Sequence, residues 1–179
     1  MSSGRLLGIC GSLREGSFNR KLMREAATIF DAADFTEANL RLPLYDGDLE
    51  AAEGTPAEVQ TLADAISAAD AVIISGPEYN KGLSGVLKNA LDWVSRTKGA
   101  PWKDKPVAIM SATAGRAGGE RTQMTLRHCL NPFRPHVLPG PEILVAQADK
   151  QFEGAHLINE FNRTALEELM ADLRAAANL

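Results

Sequence analysis

The fold is decided by the stretch Gly11-Ser12-Leu13-Arg14-Glu15-Gly16-Ser17-Phe18-Asn19. Residues 5–10 come directly before it and form a mainly apolar run with the length of a buried strand. A helical pattern follows over residues 19–33, where apolar side chains recur on one stripe: Leu22, Ala26, Ile29 and Ala33, flanked by Met23, Ala27 and Phe30. The stretch is therefore predicted to be a loop that joins a strand to a helix.

This loop carries the groups that hold a phosphate. Its two glycines free the backbone, and Ser12, Ser17 and Asn19 place short polar side chains around Arg14. A guanidinium pairs bidentately with phosphate oxygens, and a helix N-terminus adds unpaired N–H groups and a partial positive charge. We therefore predict a phosphate site in this loop. The alternative is an ordinary helix cap beside a surface arginine.

Length, charge and composition restrict the classes of partner that the chain can have. The chain has 179 residues, which suits one domain over residues 1–179, and its formal charge is −4 from 19 basic and 23 acidic side chains. No run of Lys and Arg occurs, which argues against a nucleic-acid partner. No apolar segment approaches the roughly 20 residues of a membrane span, and no signal peptide is recognised. We expect a cytoplasmic protein with no membrane partner.

Cysteine and histidine point to neither a disulfide framework nor a metal. Cys10 and Cys129 are predicted to be free thiols of a reducing compartment. His128, His136 and His156 lie far apart and lack metal-ligand spacing, so no metal site is predicted. The pair His128-Cys129 falls inside a helical pattern with no third group to orient a nucleophile.

The rest of the chain alternates strands and helices. Strands are predicted at residues 35–40, 71–75, 107–110 and 143–145, and helices from about residue 84, at 120–130 and at 157–176. Residues 41–54 are predicted to be a loop. A further helix is predicted after it, with Thr55 as N-cap, Pro56 at the first helical position and Glu58 completing a capping box.

This order of elements predicts an α/β fold of three layers around a parallel sheet with right-handed crossovers. Three loops of unusual composition, at residues 11–19, 76–82 and 111–119, follow the first, third and fourth predicted strands. Ligands of such sheets bind beyond the carboxyl ends of the strands. We therefore expect the three loops to meet at one edge and form the binding site.

The missing motifs restrict the ligand. The chain has no G-x-x-x-x-G-K-[ST], which argues against a nucleoside triphosphatase. It also lacks G-x-G-x-x-G after the first strand, which argues against a dinucleotide-binding Rossmann domain. A monophosphate at the first strand suits FMN in a flavodoxin-like, five-stranded parallel sheet of order 2-1-3-4-5.

Three motifs occur in order along the chain: Gly11-Ser12-Leu13-Arg14-x-x-Ser17-x-Asn19, Pro77-Glu78-Tyr79-Asn80 and Leu87-Lys88-Asn89-Ala90-Leu91-Asp92-Trp93. Together they resemble the NADPH-dependent FMN reductase family, which includes soluble chromate, quinone and azo-dye reductases. The resemblance spans about residues 6–145. It implies that the FMN phosphate is bound by Ser12, Leu13, Arg14, Glu15, Gly16, Ser17, Phe18 and Asn19. It further implies that the flavin ring is contacted by Pro77, Glu78, Tyr79, Asn80, Lys81 and Thr113.

The resemblance also implies an activity. NADPH or NADH would reduce bound FMN, and quinones, free flavin, azo compounds or oxidised metal ions such as chromate would then take the electrons, with ping-pong kinetics. No catalytic side chain is predicted, because the flavin supplies the chemistry. A homodimer, or a tetramer built from it, is expected. The alternatives are a flavodoxin-type electron carrier and a flavin-binding sensor that does not oxidise NAD(P)H.

The sequence departs from the family pattern in its second loop. Lys81 stands where an aromatic residue is common, and Gly82-Leu83-Ser84-Gly85 replaces a segment that often carries a proline before the glycine. Lys81 would either attract anionic acceptors or a nicotinamide phosphate, or remain a solvated or subunit-bridging lysine. Glu78 would either move protons to a quinone or orient its loop through an ion pair.

The third loop carries one arginine and three glycines. Arg116 would either hold the 2′-phosphate of NADPH or be a plain surface arginine. The glycines at 115, 118 and 119 are expected to let the backbone approach the flavin ring closely.

Overall fold

A parallel sheet forms the centre of the molecule in the computed structural model, which describes residues 4–179. Its strands are β1 (Arg5–Cys10), β2 (Asp34–Glu37), β3 (Ala71–Ser75), β4 (Pro106–Ala112), β5 (His136–Val137) and β6 (Ile143–Val145). They lie in the order β2-β1-β3-β4, with β5 and β6 both paired to the far edge of β4, and every pairing is parallel. The predicted α/β class and the flavodoxin-like order 2-1-3-4-5 are confirmed.

Helices cover both faces of this sheet. They are α1 (Phe18–Phe30), α2 (Gly47–Glu53), α3 (Ala57–Ala68), α4 (Gly85–Val94), α5 (Glu120–Leu130) and α6 (Glu160–Ala176). α1 and α6 pack on one face, and α3, α4 and α5 pack on the other. Short 3₁₀ turns occur at Asn131–Phe133 and Ala148–Lys150, and a small antiparallel hairpin joins β7 (Phe152–Glu153) to β8 (His156–Leu157).

The central strands are apolar because helices cover the sheet on both faces. In β1, Leu6 and Cys10 belong to the core beside α1 and α6, whereas Leu7 and Ile9 belong to the core beside α3, α4 and α5. A strand covered on both faces needs an apolar residue at every position, which is why β3 is buried throughout. The strands that carry the candidate loops are thereby fixed at the centre of the molecule.

The outer edge of the sheet is built in two pieces. β5 pairs with the start of β4, and β6, which is the predicted fifth strand, pairs with its end. Pro139 and Pro141 lie between β5 and β6 and have no N–H to donate to a ladder, so one continuous strand cannot form there.

Several predicted boundaries need correction. α1 ends at Phe30 rather than at residue 33, because Asp31 takes the left-handed conformation with φ 55° and turns the chain into β2. The strand predicted at residues 35–40 is the shorter β2. The final helix begins at Glu160 rather than at residue 157, and Phe161, which the pattern places with Leu169 and Leu173 on one face, is 83% exposed.

The segment predicted as a loop at residues 41–54 contains α2. Asp46 caps it by accepting a hydrogen bond from the N–H of Asp48 at 2.9 Å. None of its residues is buried, so it carries no apolar stripe, and this explains why the pattern missed it.

The capping box predicted for the next helix does not form. Pro56 itself is the N-cap of α3, with extended ψ of 146°, so Thr55 lies one residue too early and no side chain makes a capping bond. The apolar stripe of this helix is buried and consists of Val59, Leu62, Ala63 and Ile66.

Trp93 is part of the buried core. Its side chain is fully buried, and its Nε1–H donates to the carbonyl of Pro43 at 2.8 Å. Its ring packs edge-on against that of Tyr45, with the ring centroids 5.0 Å apart. This contact fixes the segment before α2 against α4.

Within residues 4–179, no helix is both long and apolar enough to cross a membrane.

Candidate functional site

A cleft of about 810 Å³ opens at the carboxyl ends of β1, β3 and β4, where the three unusual loops meet. This volume falls in the range of small-molecule sites. Predicted site residues that line the cleft are Ser12, Arg14, Ser17, Phe18, Asn19, Pro77, Glu78, Tyr79, Lys81 and Thr113. Four predicted residues lie outside its lining: Leu13, Glu15, Gly16 and Asn80. The three loops therefore meet at one edge of the sheet, as the sequence predicts.

Guanidinium groups hold the first loop from outside the cleft. Arg20, in α1, donates to the carbonyls of Arg14 at 2.9 Å and Ser12 at 3.5 Å, and Arg41 donates to the carbonyl of Leu13 at 3.3 Å. The Nε–H of Arg20 also donates to Glu37, at the end of β2, at 2.6 Å. The carbonyl oxygens that would repel an anion are therefore already paired with cations. Sequence reasoning missed these supports, because their pairing depends on the tertiary fold.

The end of the cleft at α1 is positively charged. Ser17, the N-cap of α1, makes no side-chain capping bond, and the first turn holds no acidic residue. The first-turn N–H groups and the helix dipole are therefore open to an anion. Arg14 is exposed and, within the part of the chain that the structure describes, its side chain has no hydrogen bond or ion pair. An unpaired guanidinium beside an uncapped helix fits a phosphate monoester.

Asn19 has a structural role that the sequence did not indicate. Its side chain is 3% exposed and joins the ends of two strands. The amide oxygen accepts from the hydroxyl of Ser75 and from the N–H of Ala112, both at 3.0 Å, and the amide nitrogen donates to the carbonyl of Ala112 at 2.8 Å. Asn19 therefore ties α1 to β3 and β4 beneath the cleft, and most of its hydrogen-bonding capacity is used by the protein.

Cys10 lies below the same loop. Its thiol donates to the carbonyl of Ser12 at 3.5 Å, and burial raises its pKa above the usual value. A protonated, buried thiol at neutral pH is not a nucleophile. Cys10 and Cys129 are free cysteines, as predicted. Within residues 4–179 there is no cluster of His, Cys, Asp and Glu that could hold a metal ion.

The second loop ends in a tight turn. Tyr79 and Gly82 exchange two backbone hydrogen bonds of 3.1 Å, and the residues between them, Asn80 and Lys81, have φ of 49° and 69°. Positive φ at both central positions is the hallmark of a type I′ turn. The turn presents Tyr79, which is half exposed, and Lys81 to the cleft.

Glu78 is engaged at the start of α5. Its carboxylate accepts the backbone N–H of Arg121 at 3.1 Å and lies 3.9 Å from the guanidinium of that residue. The N-cap of α5 is Gly119, which offers no side chain, so Glu78 caps this helix from the neighbouring loop. Of the two interpretations of Glu78, the orienting ion pair is the one that the geometry favours.

Two glycines of the third loop are needed for close packing within the protein. Gly118 has φ of 62°, and a Cβ there would lie 2.5 Å from the backbone carbon of Leu144. Gly119 has φ of 97°, and its Cβ would lie 2.6 Å from Ser111. Gly115 has room for a side chain. The packing of the third loop against β4 and β6 therefore requires glycine at two of these positions, and the expected close approach of this backbone to a flavin ring stays a prediction.

We expect Gly118→Ala to lower the free energy of unfolding by about 2–4 kcal/mol, since a left-handed residue and a clash with backbone combine. Gly115→Ala is the matched control and should shift it by less than about 0.5 kcal/mol. Urea unfolding followed by circular dichroism measures both. Equal stability of the two variants would show that Gly118 is not constrained as described.

Comparisons with known proteins agree with this geometry. The NADPH-dependent FMN reductase family matches residues 5–150. The chain is 37% identical over 177 residues to an NAD(P)H-dependent FMN reductase of Pseudomonas aeruginosa, covering 95% of this chain and 93% of that protein. It is 41% identical over 145 residues to a quinone reductase of Escherichia coli K12, covering 78% and 76%.

A solved structure gives the same result. FerB of Paracoccus denitrificans, a flavoenzyme described as an NAD(P)H:(acceptor) oxidoreductase, superimposes with a TM-score of 0.84 at 28% identity, over 98% of this chain and 97% of that one. The family match covers all three loops of the cleft and all six strands of the parallel sheet. The chain therefore belongs to the NADPH-dependent FMN reductase family of oxidoreductases, whose name states the cofactor FMN and the donor NADPH.

Proposed function

We propose that this protein binds FMN in the cleft and transfers electrons from NADPH or NADH to a quinone. The observation that carries the proposal is the positively charged end of the cleft, where an unpaired Arg14 stands beside the uncapped N-terminus of α1. Belonging to the family supplies the cofactor and donor. The names of the relatives from P. aeruginosa and E. coli support flavin or quinone as acceptor.

FMN would supply the chemistry by taking a hydride from the donor and passing the electrons on. The overall reaction balances as NAD(P)H plus a proton plus quinone, giving NAD(P)⁺ and hydroquinone. The chain's own task is to bind, orient and stabilise. The phosphate would be held by Arg14, Ser12, Ser17 and the first turn of α1. This part of the cleft combines an open helix terminus with an unpaired guanidinium.

The second and third loops would hold the ring. Pro77, Tyr79 and Thr113 line the same cleft from the second and third loops, and Tyr79 offers an aromatic surface. Backbone N–H groups of these loops would stabilise negative charge on the reduced ring. Glu78 keeps its loop in place by capping α5 and is not proposed as an acid or base. The proposal therefore includes no catalytic side chain.

Steady-state kinetics test the proposal. Purified protein loaded with FMN should oxidise NADPH or NADH in the presence of a quinone, and double-reciprocal plots at several quinone concentrations should give parallel lines, as expected for ping-pong kinetics. Chromate, azo dyes and free flavin are further proposed acceptors, to be compared in the same assay. A loaded protein that consumes neither NADPH nor NADH would contradict the proposal and favour an electron carrier. The proposed homodimer is checked separately by sedimentation.

A further inference from the structure

Lys81 occupies a backbone conformation that its side chain disfavours. It has φ of 69° at the second central position of the turn, and the paired Tyr79–Gly82 hydrogen bonds of 3.1 Å hold it there. Glycine adopts this conformation without steric cost, and Asn-Gly is a preferred pair for a type I′ turn. The chain places lysine where glycine would be more stable. A strained residue at a binding site points to a function for its side chain.

The ammonium group of Lys81 is not neutralised. Lys81 is exposed, and among residues 4–179 its side chain has no hydrogen bond or ion pair. The nearby carboxylate of Glu78 is already engaged by the N–H and guanidinium of Arg121. On the third loop Arg116 also lines the cleft, is exposed, and has no such contact within the described residues.

The cleft lining carries more cations than the proposed phosphate contact and the Glu78 ion pair use. The lining holds four cations, Arg14, Lys81, Arg116 and Arg121, and two carboxylates, Glu78 and Glu120. With Arg14 assigned to the FMN phosphate and Arg121 paired with Glu78, the cations Lys81 and Arg116 remain, one on each loop proposed to hold the ring. They stand against a single carboxylate, that of Glu120. A lining with a net positive charge concentrates anionic substrates.

The position of Lys81 favours the electron acceptor over NADPH as the substrate that it contacts. NADPH carries its extra phosphate on the adenosine, at the far end of the molecule from the nicotinamide that meets the ring. Lys81 lies two residues after Tyr79, in the loop proposed to contact the ring itself. Resting on the proposed function, we propose that Lys81, assisted by Arg116, binds the anionic group of the electron acceptor. The enzyme would then prefer aromatic acceptors that carry a carboxylate or sulfonate.

Binding to the FMN-loaded protein tests this without turnover. Naphthalene-2-sulfonate and the neutral naphthalene-2-sulfonamide are titrated calorimetrically into wild type, Lys81→Gly and Lys98→Gln. Lys98 is an exposed lysine outside the cleft lining and is the matched control for charge. Loss of one exposed ion pair in Lys81→Gly should weaken sulfonate binding about fivefold and leave the sulfonamide within about twofold. Glycine suits the turn, so the variant should melt no lower than wild type.

Kinetics provide the second readout. The ratio of kcat/KM for 1,4-naphthoquinone-2-sulfonate to that for 1,4-naphthoquinone should fall about fivefold in Lys81→Gly and be restored in Lys81→Arg, whereas the ratio of NADPH to NADH should not change. An unchanged ratio between the quinones, or a change in the NADPH preference alone, would overturn the inference while leaving the proposed function intact. Wild type that oxidises no NAD(P)H would overturn both.

Discussion

Replacing Asn19 by alanine is expected to lower the free energy of unfolding by about 3–4 kcal/mol. The substitution removes the partner of Ser75 and both partners of the Ala112 backbone, all within the buried ends of β3 and β4. Each buried polar group left without a partner costs about 1–3 kcal/mol. FMN affinity should fall as well, because the carboxyl ends of β3 and β4 would no longer be fixed relative to α1. Urea unfolding and flavin fluorescence titration measure the two effects.

Asn39 gives the matched control for this substitution. It is exposed, and within residues 4–179 its side-chain oxygen accepts only the N–H of Arg41, at 3.0 Å, so Asn39→Ala should cost less than about 1 kcal/mol. Similar losses in the two variants would show that the buried amide does not hold the strand ends.

The pH dependence of stability in an Asn19→Asp variant tests the amide nitrogen of Asn19 separately from its amide oxygen. In Asn19→Asp, the carboxyl must be protonated to donate to the carbonyl of Ala112, so the folded state raises its pKa above the unfolded value of about 3.9. Between these two values the folded state binds more protons, and stability falls as pH rises. The deficit relative to wild type should therefore be smallest near pH 4 and grow toward neutral pH.

Replacing Arg14 by alanine is expected to raise the dissociation constant of FMN by about 10–150-fold. A charge-assisted hydrogen bond contributes about 1.5–3 kcal/mol, and about 1.4 kcal/mol corresponds to a factor of ten. Because the guanidinium is exposed and makes no hydrogen bond or ion pair within the described residues, stability should change little. Fluorescence titration of the apoprotein with FMN gives the dissociation constant.

Riboflavin, which lacks the phosphate, makes the Arg14 test specific. Arg14→Ala should bind riboflavin as wild type does, so the whole loss should appear with FMN. Arg134→Ala removes an exposed arginine that lies outside the cleft lining and should change neither affinity. Equal weakening of FMN and riboflavin would show that Arg14 acts on the shape of the loop rather than on the phosphate.

The central strands and the meeting of the three loops could be predicted from the sequence. The strands β1, β3 and β4 are covered on both faces, and their continuous apolar runs identify them without any tertiary information. Glycines, hydroxyls and Arg14 then follow directly after β1, so both the loop and its chemistry are local in sequence. The parallel order places the three loops at one edge.

The remaining features depend on contacts between distant residues. Asn19 reads as a phosphate ligand from its neighbours, yet its partners lie on β3 and β4. Glu78 caps a helix that starts 42 residues later in the chain, because Gly119 before that helix has no side chain. The small exposed helix α2 buries no residue, so apolar periodicity does not report it.

The visible spectrum of the FMN-loaded protein, recorded anaerobically before and after one equivalent of NADPH, tests the central claim most directly. We expect the flavin band to bleach rapidly and to return when a quinone is added. FMN that binds but stays oxidised with both NADPH and NADH would contradict the proposed reductase activity. Failure to bind FMN would contradict the assignment of the cleft itself.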